Sequence, residues 1–139
     1  MSGRQAAARP TRWRKHVTGD DLTAVREVRH GLRELLRHSG QPGSADAAEL
    51  LTSELVTNAL IHTRHGAVVT ATVHPGSVLR VEVRDFDGAP PLPHISVADD
   101  STHGRGLFLV QALADAWGVR GHGMGKTVWF ELSGSDGPA

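Results

Sequence analysis

Between Asp46 and Thr63 the chain is apolar at Leu50, Leu51, Leu55, Val56, Leu60 and Ile61, with no glycine or proline among them. Wound as a helix, these side chains reach nearly all the way round the axis, so the element must be central and covered by other layers. Gly40, Pro42 and Gly43 make a turn ahead of it, and Ser44 or Asp46 supplies its cap.

The remaining periodicities supply the cover. Leu22, Val25, Val28, Leu32, Leu35 and Leu36 recur at three- and four-residue spacing, which predicts an amphipathic helix over 21–38, capped by Asp20 or Asp21 and stopped at Gly40. The segment 13–17 reads as an edge strand. Residues 67–74 are β-branched at Val68, Val69, Thr70, Thr72 and Val73, and Pro75-Gly76 turns the chain into 78–85, where Val81 and Val83 alternate with Arg80, Glu82 and Arg84. A long irregular segment follows over 86–103, then a helix over 107–117 and two strands over 118–121 and 127–132. A helix pair, a hairpin, a loop, a helix and a second hairpin define an α+β fold, a two-layer sandwich in which helices cover one face of a sheet.

At 139 residues there is room for one core, expected over 12–133, with disordered tails at 1–11 and 134–139. Lys plus Arg and Asp plus Glu are 15 each, but residues 1–18 hold Arg4, Arg9, Arg12, Arg14 and Lys15 and no acid, which leaves ten basic against fifteen acidic residues from Gly19 onward. The basic start reads as a solvated tail, with no direct nucleic-acid role. No run approaches the roughly 18 apolar residues that cross a bilayer, so the expectation is a soluble, cytoplasmic protein away from membranes. The absence of cysteine excludes disulfides, thiolate zinc and a cysteine nucleophile.

Polar residues interrupt the central helix at Glu54, Asn58 and His62. Steps of four advance only about 40° around a helix, so they form one stripe beside Leu51 and Leu55. A carboxylate and an amide there are costly unless they are paired, hold a metal or face a wet pocket. Two readings stand level: a functional site, or internal hydrogen bonding. Gly104-Arg105-Gly106 precedes the helix over 107–117, where free backbone N–H groups favour anions, although glycine is also ordinary punctuation there. Asp85 ends a strand beside Phe86-Asp87-Gly88, which suits either a ligand's amine or a plain turn. Gly125-Lys126-Thr127 mimics the end of a phosphate loop, but Arg120 stands where its first glycine belongs and a β-type run follows, so that motif is rejected. The nine histidines show no His-Glu-x-x-His spacing, and His30 reads as a surface residue.

In order, Glu54-Leu55-Val56-Thr57-Asn58-Ala59-Leu60-Ile61-His62, Asp85-Phe86-Asp87-Gly88, Gly104-Arg105-Gly106-Leu107 and Gly125-Lys126-Thr127-Val128-Trp129-Phe130 resemble the boxes of the Bergerat-fold (GHKL) ATPases shared by gyrase, histidine kinases and related chaperones. Within them the chain is similar to the anti-sigma-factor serine kinases of the RsbW type, over about residues 20–132. The resemblance implies a mixed, mainly antiparallel sheet covered on one face by helices, and ATP with Mg2+ as cofactors. It implies that Asn58 coordinates Mg2+, that Glu54 is the base polarising the attacking hydroxyl or water, and that Asp85 binds the adenine amine with Thr127 near it. Gly88, Gly104, Gly106 and Leu107 would belong to the nucleotide site, with 86–103 as its lid; Arg105, from its place alone, is expected to add a phosphate contact. A sigma factor and a STAS-domain anti-anti-sigma protein are the implied partners; related kinases are often dimers, and whether this chain forms a homodimer is left open. The sequence departs from the family pattern at Asp87, Ala89 and Phe108, where glycines are usual. That leaves a binding module without catalysis as the alternative.

Overall fold

The computed structural model describes residues 11–18, 22–39, 45–62, 66–75, 78–86, 109–123 and 125–133. Strand β1 (Thr11–Val17) is followed by helices α1 (Leu22–His38) and α2 (Ala45–His62), strands β2 (Ala67–His74) and β3 (Val78–Asp85), a short helix α3 (109–113), and strands β4 (Ala116–His122) and β5 (Gly125–Ser133). The sheet order is β1-β2-β3-β5-β4. All four pairings are antiparallel, so the mainly antiparallel sheet is present and its described strands hold no parallel pair.

Side chains alternate along each strand, so the register lines up rows on the face towards the helices. One row runs Trp13, Ala71, Val81, Phe130, Trp117 across all five strands, and the next runs Lys15, Val69, Val83, Val128, Val119. Val69, Ala71, Val81 and Phe130 are fully enclosed. Against them pack Val28, Leu32 and Leu36 of α1 and Leu51, Leu55 and Val56 of α2. The two helices touch each other, α1 lies on β1 and β2, and α2 lies on β2 and β3.

Arg33 of α1 ties the pair together by reaching both Asp46 and Glu49 of α2. Asp46 is therefore inside the first turn rather than the cap; Ser44, Asp20, Asp21 and Gly40 lie outside the described residues. Arg37 and His38 close α1, where cations suit the carbonyl end of the helix dipole. The exposed His30 agrees with its surface reading.

Three expectations are corrected. The basic start is not all tail: Thr11, Arg12, Arg14 and Lys15 belong to β1, which pairs along its full length with β2, and Lys15 bridges Glu27 of α1 at 3.1 Å. The helix expected over 107–117 stops early, because Asp115 has already joined the sheet: its N–H donates to the Glu131 carbonyl and its carboxylate accepts from the Ser133 N–H. Ala116 and Trp117 are thus strand residues. Finally, α2 is not covered all round, since Leu50 is 43% and Ile61 55% exposed.

On the opposite sheet face Arg80 is the organising residue. It donates to Glu82 and Glu131, both at 2.9 Å, and its guanidinium lies 4.1 Å from the centre of the Trp129 ring. Burial works against its charge, but the two hydrogen-bonded carboxylates outweigh it and hold the guanidinium pKa above its ordinary value.

Where β1 meets α1, the Trp13 indole lies directly on Gly31, in the space a Cβ would need. Gly31→Ala forces the ring off the helix, and overpacking of this kind costs about 1–3 kcal/mol. The expected outcome in thermal unfolding is a Tm lower by roughly 4–10 °C.

Candidate functional site

Helix α2 carries its polar stripe at a boundary. Leu51, Leu55 and Ala59 mark the edge of its buried arc, Leu50 and Ile61 lie in water, and the half-buried Glu54 and Asn58 fall between them. The arrangement resolves the problem of a carboxylate on an apolar helix: Glu54 keeps contact with solvent and avoids most of the desolvation cost. Both side chains face the margin of the core, where a ligand can reach them from outside. Asn58 has an interaction of its own in the structure. For His62 only the backbone, as the last residue of α2, is described.

Asp85 occupies the end of a core-facing row. Register pairs Ala67 with both Val17 and Asp85, so the carboxylate follows Leu79, Val81 and Val83 on the helix side of β3 and is only 6% exposed. A charge so enclosed needs partners. Lys126 of β5 supplies two: its backbone N–H donates to Asp85 Oδ1 at 3.1 Å and its ammonium donates to Oδ2 at 3.0 Å. Gly125 makes the approach possible. Its φ is +144°, and a Cβ there would run into the Asp85 backbone carbonyl and carboxylate.

Thr127 is enclosed, at 4% exposure, and register sets it opposite Arg84 and Arg120. Across the sheet from Asp85 stands Lys126, with Thr127 one residue further along β5. The β-conformation of Gly125 to Thr127 bears out the rejection of the phosphate-loop motif. Of the other expected site residues, Gly88, Gly104, Arg105, Gly106 and Leu107, and the lid segment with them, lie outside the described residues. The structure thus brings Glu54 and Asn58 on α2 and Asp85 on β3 to one side of the sheet, with α2 packed on β3, whereas Thr127, paired with Arg84 and in phase with Trp129 and Glu131, belongs to the opposite face.

Sequence reading missed Lys126. Its only visible signal was the false phosphate-loop resemblance; its partnership with Asp85 spans 41 positions and exists only through strand register.

The chain belongs to the histidine kinase-like ATPase domain family, whose family model matches residues 19–132. Membership implies an ATP-binding domain of the kinase type. Among solved structures, the chain is similar to the RsbU and RsbW domains of Rv1364c from Mycobacterium tuberculosis, with 26% identity, a TM-score of 0.63, and coverage of 86% of this chain and 32% of that one. It is also similar to a blue-light activated histidine kinase, EL346 of Erythrobacter litoralis, with 30% identity, a TM-score of 0.53, and coverage of 68% and 31%. This chain therefore spans about a third of either protein. No curated protein matches it. No described helix is long and apolar enough to cross a membrane.

Gly125→Ala is expected to cost about 1–3 kcal/mol through backbone strain and to push Asp85 from its place. Gly123→Ala, in the same hairpin with open space around it, should stay within about 0.5 kcal/mol of the parent. Paired denaturant unfolding curves check the difference.

Proposed function

We propose that residues 12–133 form one ATP- and Mg2+-binding domain with protein serine/threonine kinase activity toward a STAS-type anti-anti-sigma protein. The same domain would bind a sigma factor, and so regulate transcription in the cytoplasm by partner switching. The observation that carries this reading is the placement of Glu54 and Asn58 at the accessible margin of α2, on the sheet face where Asp85 ends a buried row. Family membership and the likeness to a structure containing an RsbW domain support it.

The donor set fits the cofactors. Magnesium takes hard oxygen ligands and few from protein, which suits the single amide oxygen of Asn58. When bound, Mg2+ would neutralise phosphate charge developing during transfer. Glu54 would accept the proton of the attacking seryl or threonyl hydroxyl, and Asp85 would accept from the exocyclic amine of the base. Gly88, Gly104, Arg105, Gly106 and Leu107 would complete the phosphate side, the backbone N–H groups of the two glycines and the Arg105 guanidinium meeting the anion.

A second reading, a nucleotide-dependent interaction module with little or no catalysis, is favoured by one specific observation: Asp87 and Ala89 stand where the family has glycine beside the base.

Calorimetric titration with Mg-ATP tests the site. Wild-type protein should bind only with magnesium present, and Asn58→Ala should weaken binding at least about tenfold. Glu54→Ala should leave binding intact while phosphotransfer to a STAS partner falls by about 100-fold or more. Partner regulation that persists in Glu54→Ala and is lost in Asn58→Ala would instead establish the interaction module.

A further inference from the structure

A lysine on the core face of a sheet has to be explained. Lys126 lies on the helix side of β5, in line with Val128, Phe130 and Leu132, and its side chain is 31% exposed against 8% for Asp85. The pair satisfies the buried carboxylate, but a backbone N–H and a water would do that without burying a lysine stem. An ammonium carries three donors, and Asp85 Oδ2 uses one of them. The remaining two are carried by a side chain that is 31% exposed. The pair thereby presents an acceptor and a donor side by side.

Adenine carries the complementary pattern, an exocyclic amine flanked on either side by a ring nitrogen with a free lone pair. We propose that Lys126 is a second base-reading residue, its ammonium donating to one of those ring nitrogens while Asp85 accepts from the amine. The inference rests on the nucleotide site proposed above and adds the residue that selects the base. A hypoxanthine base, with a carbonyl in place of the amine, would set that oxygen against the Asp85 carboxylate and be refused.

The test is titration of the wild-type protein with Mg-ATP, Mg-1-deaza-ATP, Mg-7-deaza-ATP and Mg-ITP, repeated with Lys126→Met and Lys126→Arg. The expected result is that the wild type prefers ATP over one of the two deaza analogues by about tenfold or more, the worth of a hydrogen bond from a charged donor. Lys126→Met should reduce that preference to less than about twofold while still disfavouring ITP, and Lys126→Arg should retain part of it. Equal binding of ATP and both analogues by the wild type overturns the inference and leaves the nucleotide site standing. So does an unchanged preference in Lys126→Met, or tighter ATP binding that marks the lysine as a plug. If the wild type binds no nucleotide, the site itself falls and the inference with it. The wild-type comparison requires no variant to fold, and Lys126→Arg keeps a charge opposite Asp85 if Lys126→Met unfolds.

Discussion

The pairing register of β3 governs both the core and the site. Val81 faces Ala71 on one side and Phe130 on the other, so one strand closes the apolar rows of the whole sheet. Because side chains alternate with a period of two, a slip of a single residue would turn Arg80, Glu82 and Arg84 into the core and carry Leu79, Val81 and Val83 into water. The same register puts Asp85 on the helix side. A buried carboxylate is thus a by-product of an alternation enforced by the valines before it, and the energy that keeps it there is the burial of those valines together with its pairing to Lys126.

Helix α2 is the other fixed part of the site. Its buried arc packs on β2 and β3, and the stripe of Glu54 and Asn58 follows the edge of that arc. Polar groups at such a margin are held by a rigid element yet remain reachable, a combination that positioning of a ligand requires. Exposed Leu50 and Ile61 flank the stripe, so the approach to Glu54 and Asn58 is bordered by apolar surface.

The histidine kinase-like ATPase family model spans both parts, from residue 19 to residue 132, so helix and strand end belong to one family domain. A charge pair, Asp85 with Lys126, closes the strand end. Gly125, with a backbone that L side chains rarely adopt, lets β5 come close enough for the pair to form.

Much of the fold was legible in the sequence because period governs burial. The α1 heptad-like spacing, the alternation in 78–85 and the turn at Pro75 predicted elements that the structure has, and the spacing of Glu54 and Asn58 placed them on one stripe. Sequence also determined the chemistry available, namely which acids, amides and glycines the chain can bring to a site. Tertiary structure alone decided three things. Apolar periodicity continued through Ala114 and Trp117, but pairing of Asp115 with Glu131 and Ser133 drew that segment into the sheet, since hydrogen bonds to a neighbouring strand outweigh a short helix's local preference. The α2 pattern was apolar on every side, yet only packing could choose which side is buried. Lys126 and Asp85 are 41 residues apart, and no local pattern reports a contact that exists only because two strands run antiparallel in one register.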